Sequence, residues 1–382
     1  MKILHISPLS PYNEGWSYQE NLLPKYQKKM GNDVWLVVSP FKISPNGKID
    51  VGESEHINED GVRVIRRRRT FGDGFLGKII SFTNIRDILY RFRPDFIMVH
   101  SLSTLSVFQA ISYKKKINPK CTIIQDNHLD ENIGKRKTKI ITDICYLYWK
   151  EINKLSKKYV SRYYGVTPWR KEFIIKRYGI EREKTDTLIM GVDTDSIDFN
   201  KRKDYRDGIE KEYQLKDNFV IVSGGKIERN KNIIPLIKGV KGFSNIKLLI
   251  FGDIAEDFKE EVYNNLNNNV ILVGWKNQND INKLFLACDL AFFPGQHSVL
   301  WEQACGCGIP CVFKHWEEMT HLDIGGNCVF MRDVTEKTVS KMIESLAFSK
   351  EYFEMREAAD KVKDYFSYNA IAKKSLECSQ NT

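Results

Sequence analysis

Two stretches of this chain share one texture. Short apolar runs alternate with helix-length segments, and a polar gap separates the stretches. That alternation constrains the fold most, because strands followed by crossover helices build parallel sheets covered by helices. In the first stretch, Ile3 to Ile6 is a strand leading to a loop with Gly15. Ser17-Tyr18-Gln19-Glu20 spells a capping box, which predicts a helix start with Leu22, Leu23 and Tyr26 as its buried stripe. Gly31 stands at the helix C-terminus and Val34 to Val38 is the next strand. Pro94-Asp95 ends another helix before the strand Phe96 to Val99, and Ile123-Ile124 leads a strand into Asp126-Asn127-His128.

Asp193 to Asp217 is charge-dense and reads as a linker with one short helix. The alternation then restarts. Phe219 to Val222 runs into Ser223-Gly224-Gly225-Lys226, Ile246 to Phe251 into Gly252-Asp253, and Val270 to Val273 into Gly274. Asp289 to Phe293 and Cys311 to Phe313 complete the set. The expected fold is α/β, with two doubly wound Rossmann-like domains facing across a cleft and ligands at the carboxyl ends of the strands.

The chain is 42% hydrophobic and 28% charged, which suits a globular protein and excludes a disordered one. No apolar run reaches the roughly 18 residues of a membrane span, and Met1 to Ile6 is too brief for a signal-peptide core. A cytoplasmic location is the expectation. The eight cysteines of such a chain are expected as buried free thiols. Cys305-Gly306-Cys307 with Cys311 lacks the paired C-x2-C of structural zinc, so metal is not expected there.

A net charge of +10 collects in Arg66-Arg67-Arg68-Arg69, Lys114-Lys115-Lys116 and Lys135-Arg136-Lys137. These runs read either as solvated faces or as a dock for an anionic membrane, at about 1 kcal/mol per basic residue near the lipid. Phe75, Leu76, Ile79, Ile80 and Leu89 follow at near-helical spacing, fitting a membrane-surface helix or an ordinary core helix. No nucleic-acid reading module is found, so nucleic acid is not an expected partner.

Two loops carry the chemistry. Gly225-Lys226-Ile227-Glu228-Arg229-Asn230-Lys231 follows a strand and precedes a helix expected near Asn232. Its glycine, two lysines and the helix amides suit a diphosphate. The second loop is Pro294-Gly295-Gln296-His297-Ser298, with a helix beginning near Ser298 and continuing through Val299, Leu300 and Glu302. A carboxylate at Glu302 suits two ribose hydroxyls, or serves only as a partner of the helix dipole. Asp193-Thr194-Asp195 is not read as a metal-binding D-x-D, since it lies in the interdomain stretch.

In this order and separation the motifs resemble the retaining family-4 glycosyltransferases of GT-B fold, along nearly the whole chain. The family's G-R-L-x-x-x-K is similar to Gly225 to Lys231, with Lys226 replacing arginine. Its N-G-V-D resembles Met190-Gly191-Val192-Asp193, and its G-D-G strand end resembles Gly252-Asp253. Its V-x-x-x-G and A-D-x-x-x-x-P strands resemble Val270 to Gly274 and Cys288 to Pro294. Its L-E-A-x-A-C-G-x-P-V helix resembles Trp301 to Val312. One departure stands out: with Glu302 as the second glutamate of E-x7-E, the first falls on Pro294.

The resemblance implies retaining transfer of a sugar from a nucleoside-diphosphate donor to a glycan or lipid-linked acceptor, in surface polysaccharide or glycolipid synthesis at the inner face of the membrane. It implies no cofactor and no metal, with Lys226 and Lys231 taking the leaving-group charge. It implies Glu302 on the ribose, Gly274, Trp275 and Lys276 by the base, and Gln296, His297, Ser298, Val299 and Leu300 about the donor. Gly15 falls near the diphosphate and acceptor. His128, with Asp126 on the same strand end, falls beside the donor sugar, while His100 is either a buried histidine or a cleft residue. The implied domains are residues 1–192 on the acceptor side and 193–362 on the donor side, with 363–382 returning to the first. A nucleotide-sugar epimerase and a non-catalytic nucleotide-sugar-binding protein are the alternatives.

Overall fold

The computed structural model describes residues 1–382 except 45–46, 73, 131–138, 317–318 and 380–382. It divides into two units: Met1–Ile189 with Ile371–Thr382, and Met190–Ala370. The first change of unit thus falls within a few residues of the expected 192. The return falls at Ile371 rather than 363, so residues 363–370 pack with the second unit.

The first unit contains β1 (Lys2–Ser7), β2 (Asp33–Val38), β3 (Phe41–Ser44), β4 (Gly47–Asp50), β5 (Ser54–Ile57), β6 (Arg63–Arg66), β7 (Phe96–His100), β8 (Thr122–Asn127), β9 (Arg162–Gly165) and β10 (Thr185–Thr187). Eight of these form a sheet ordered β10-β9-β8-β7-β1-β2-β6-β5, parallel except for β5. Its central strands are buried almost throughout, with no alternation between a wet and a dry face, as in a sheet covered on both sides. Leu4, Ile6, Ile97, Val99 and Ile123 make the core with Phe92, Tyr163 and Tyr178.

The second unit contains β11 (Phe219–Gly224), β12 (Ile246–Phe251), β13 (Val270–Gly274), β14 (Leu290–Phe293), β15 (Cys311–Lys314) and β16 (Cys328–Met331), a parallel sheet ordered β13-β12-β11-β14-β15-β16. Trp301 stacks on Phe313 of this sheet, ring centroids 4.3 Å apart. The expected linker contains the helix Arg202–Tyr213, held to this unit by Arg206 against Asp289 at 2.9 Å.

Each sheet reverses its strand order once: between β1 and β7 in the first, and between β11 and β14 in the second. Such reversals open a crevice at the carboxyl ends of the strands, where ligands bind. Both expected loops of the second unit sit at that reversal.

Several local expectations fail for physical reasons. The first helix runs Gln19–Lys29 with Tyr18 as N-cap and no side-chain cap, so Ser17 makes no capping box. The segment read as either a membrane-surface helix or a core helix is two helices, Phe75–Ile80 and Arg86–Phe92. Ser81 breaks them at φ 43°, and Ile88, Leu89 and Phe92 are committed to the core. The arginine run is largely tied down. Arg66 is 2% exposed and donates to the Tyr12 and Ser39 carbonyls and to Glu14. Arg67 pairs with Asp87, and Arg68 with Asp50. Lys114 donates to the Cys121 carbonyl at 2.7 Å. Lys135-Arg136-Lys137 lies outside the described residues. All eight cysteines are unbridged.

Candidate functional site

In the second unit the β11 chain turns at Gly225 and passes so close to β12 that a side chain at Gly252 has no room. A Cβ there would lie 1.9 Å from the Gly225 carbonyl oxygen, at φ +108°. Above this contact opens a cavity of about 230 Å³. Gly225, Lys226, Gly252, Asp253, Trp275, Lys276 and Leu300 line it. Trp275, 67% exposed, offers its indole at the rim. Gly274 ends β13 beside them, its carbonyl accepting from the Gly252 amide.

The two loops at the reversal are bound to each other. Lys231 Nζ donates to the Gln296 carbonyl at 3.0 Å, Asn230 Nδ2 to Gln296 Oε1 at 3.1 Å, and Asn232 Nδ2 to the Pro294 carbonyl at 3.1 Å. Gly295 permits this, since a Cβ there would sit 2.3 Å from Lys231 Cα. Burial depresses the Lys231 ammonium's pKa, because that charge has lost water. Lys226 is different: its side chain is 75% exposed and pairs with Glu228. The helix after the lysines, Ile233–Gly239, is only 7 residues long. Its dipole therefore adds less to an anion site than the expected arrangement assumed.

The helix on the other loop is Leu300–Gly306, with Val299 rather than Ser298 as N-cap. Ser298 contributes only its carbonyl, to the Trp301 amide. Glu302 does not present a carboxylate to solvent. It is 0% exposed, and His297 Nε2 lies 2.9 and 3.1 Å from its two oxygens. Burial pushes its pKa up, but His297 and His321 outweigh that and hold it at about 2. Glu302 thus forms an internal pair with His297, with no carboxylate surface left open to solvent. The neighbouring Gln303 is 2% exposed, and its Oε1 is buried without a hydrogen-bond partner.

The first unit has its own cavity of about 270 Å³ at the β1/β7 reversal, lined by Ser7, Ser10, Glu20, His100, Ser101, Ser103, Asn127 and His128. Ser101 takes φ 148°, a conformation costly for a residue with a Cβ and often found at functional sites. Asp126 lies wholly buried beneath. Its Oδ2 is 2.7 Å from His100 Nδ1 and 3.6 Å from His128 Nε2, while its Oδ1 has no partner. Gly15 is not among the lining residues: it is exposed, at φ 75° in the preceding loop.

Behind His100 runs a chain of hydrogen bonds that the sequence did not reveal. His100 Nε2 is 2.9 Å from His5 Nδ1, His5 Nε2 is 2.6 Å from Gln27 Oε1, and Gln27 Nε2 donates to Ser375 Oγ at 3.0 Å. Protonation can be deduced from the far end. Ser375 gives its hydroxyl proton to the Ala372 carbonyl, so it can only accept from Gln27. Gln27 Oε1 then faces His5, so His5 Nε2 carries a proton and a neutral His5 accepts at Nδ1. His100 must donate from both nitrogens, to His5 and to Asp126. It is an imidazolium beside a carboxylate. The electrostatics agree. Burial and the His100 charge lower His5 to about 3. Burial works against the charge on His100, yet Asp126 raises it overall. Burial likewise opposes the Asp126 charge, and His100 and His128 hold it well below the carboxylate range. A histidine within the apolar run Ile3 to Ile6 was the only signal, and its partners lie 22 and 95 residues away.

Residues 206–315 match the family model for glycosyl transferases group 1. The matched segment lies wholly within the second unit. No curated protein matches the chain by sequence. Among solved structures, Anabaena HepE in complex with UDP and glucose is 16% identical at TM-score 0.66, covering 100% of both chains. A glycosyltransferase from Rickettsia africae is 15% identical at TM-score 0.71, over 100% of this chain and 98% of its own. The UDP-GlcNAc 2-epimerase of Neisseria meningitidis, bound to UDP-GlcNAc, is 13% identical at TM-score 0.59 over 100% of both. At these identities the likeness concerns the fold, which is the two-domain arrangement of GT-B glycosyltransferases.

Proposed function

We propose that this chain is a retaining glycosyltransferase, moving a sugar from a nucleoside-diphosphate sugar to a glycan or lipid-linked acceptor in surface polysaccharide or glycolipid synthesis. One observation carries the reading. Lys231, inside the matched segment, is mostly withdrawn from water and spans the β11/β14 reversal to the Gln296 carbonyl. A half-buried ammonium whose one hydrogen bond is to a neutral carbonyl, with Glu228 acting on it only through its field, gains from an arriving anion. A diphosphate supplies one, and a preorganised charge of this kind favours its departure as a leaving group. In this proposal Lys231, with Lys226 at the rim, carries the leaving-group charge and no metal takes part in that step.

Trp275 stacks on the base. Gln303, on the same face as Leu300 at i+3, takes the ribose in place of Glu302. HepE was solved with UDP and glucose, so uridine diphosphate donors are the first to try. In the first unit His128 hydrogen-bonds a sugar hydroxyl, and Asp126 orients it. The departing phosphate helps deprotonate the acceptor in a front-face reaction.

The proposal places the work in the cytoplasm, at the inner face of the membrane. Among the described residues no helix is long and apolar enough to cross a membrane. The docking face moves from the arginine run to the helix Lys139–Ser156, which exposes Ile144, Leu147 and Leu155 at 62, 60 and 64%.

The test is a thermal-shift panel of UDP, GDP, ADP, CMP and their sugar conjugates, on the native chain and Lys231→Ala. A ligand at 100 times its Kd adds about 2.7 kcal/mol to the folded state. The expected result is a shift selective for one nucleoside diphosphate and lost in the variant. No shift with any nucleotide sinks the proposal. Donor turnover without acceptor points to an epimerase, and binding without turnover to a binding protein.

A further inference from the structure

The spacing of Cys305, Cys307 and Cys311 suggests a cluster that the structure regroups. Cys307 turns away to Asn282. Cys328, from the start of β16, takes its place. Cys305 Sγ lies 3.7 Å from Cys328 Sγ and 4.0 Å from Cys311 Sγ, and the three sulfurs all lie within 4.8 Å of one another. Their residues are 0, 0 and 6% exposed for Cys305, Cys311 and Cys328. They come from three elements: the helix Leu300–Gly306, β15 and β16, with Cys311 and Cys328 partners in the parallel register.

Ordinary apolar packing of thiols needs no particular separation. A shared cation does. The point in the plane of the three sulfurs that is equidistant from them lies about 2.2–2.5 Å from each, which brackets the zinc–thiolate bond of about 2.3 Å. One neighbour fits the same purpose. Asn327 Nδ2 lies 3.0 Å from Cys328 Sγ and 3.8 Å from Cys305 Sγ, so its N–H groups face the sulfurs as outer-shell donors do. His321 acts electrostatically on Cys305 from beside the cluster, its Nε2 3.8 Å from Glu302 Oε1.

The geometry points to a structural site for a soft divalent cation, zinc before others, held by the thiolates of Cys305, Cys311 and Cys328. Thiolates select zinc over hard cations. Binding releases the three thiol protons to solvent. The ion staples the helix bearing Leu300 and Glu302 to the β15–β16 edge, and so stands apart from the leaving-group chemistry proposed above.

The experiment uses the full chain, freed of metal under a phosphine reductant and titrated with Co2+ as a spectroscopic probe. Thiolate-to-cobalt charge transfer and tetrahedral d–d bands should saturate at one equivalent and be bleached by one equivalent of Zn2+. Cys305→Ser and Cys328→Ser should lose the bands. Cys307→Ser and Cys288→Ser, buried but outside the cluster, should keep them. No charge-transfer band in the native chain overturns the site, and that arm holds even where a serine variant does not fold. A band that survives in folded Cys305→Ser also overturns it, because the cobalt is then on other thiols.

Discussion

Replacing Asp126 by Asn tests the protonation chain directly. In the native chain the direction of every bond is set at the Ser375 end, and Asp126 must absorb the positive charge of His100. An asparagine Oδ1 can still accept from His100 Nδ1, but it brings no negative charge. His100 then gives up its second proton, and its bare Nε2 faces the bare Nδ1 of His5 at 2.9 Å. Relief requires a reversal along the whole chain: His5 changes tautomer, Gln27 flips, and Ser375 releases the Ala372 carbonyl to donate to Gln27. Removing one partner of a buried ion pair typically costs about 3–5 kcal/mol, and the reversal recovers part of that. The assay is histidine-labelled NMR of imidazole nitrogens, with urea unfolding followed by a probe in the first unit, since a chain of two units need not unfold in one step. Native His100 should lose its second proton above the ordinary 6.5, and Asp126→Asn should bring that loss down while lowering stability by a few kcal/mol. A native His100 that loses its second proton below pH 6.5 refutes the deduction.

The same chain fixes a pH dependence. His100 is raised above its ordinary 6.5, so its contribution is complete below pH 6.5 and lost as pH rises through its folded value. His5 is lowered to about 3 from 6.5, so the unfolded chain takes up a proton that the folded chain refuses, and stability falls as pH drops below 6.5. Asp126, lowered from 3.8, contributes fully above pH 3.8 and is lost as pH falls through its folded value. From these three groups, stability of the first unit should peak near pH 6.5, and His5→Gln should remove the acid-side decline between pH 6.5 and 4 in the same unfolding measurement.

Three further outcomes are expected. Glu302→Gln should lower the melting temperature through loss of the buried His297 pair, at about 2–4 kcal/mol, while nucleotide affinity changes less than threefold; a larger loss of affinity would return the ribose to Glu302. Gly295→Ala should separate the two loops, because its Cβ meets Lys231 Cα at 2.3 Å, and the nucleotide-dependent thermal shift should report an apparent affinity at least tenfold weaker. Arg66→Leu should destabilise the first unit by about 2–4 kcal/mol, since it strands the Tyr12 and Ser39 carbonyls, yet leave binding to anionic vesicles unchanged. Vesicle binding that drops with Arg66→Leu in the folded protein would put the membrane surface back at the arginine run.

The parallel sheets were legible because burial on both faces demands unbroken apolar runs, and such runs stand out in a sequence. The β5/β6 pair was not, because Ser54–Ile57 lies at a sheet edge, largely exposed, with no apolar pattern. Charge misled in a consistent way. The pattern suggests a solvated or membrane-docking face for Arg66 and a cleft-facing or helix-dipole carboxylate for Glu302, yet each is buried, Arg66 against partners 27 or more residues distant and Glu302 against a histidine of the adjoining loop. The reading of Glu302 also let residue type override spacing. In L-E-A-x-A-C-G-x-P-V the glutamate precedes the proline by 7 residues, and from Pro310 that count reaches Gln303. Spacing is set by the helical turn that brings a side chain to the crevice, whereas a carboxylate one residue along points about 100° away. Glu302 closes on His297, and the amide of Gln303 holds a buried oxygen with no partner of its own. An amide can both donate to and accept from a diol, so in the function proposed above Gln303 would keep the ribose contact and remove a negative charge from beside the diphosphate.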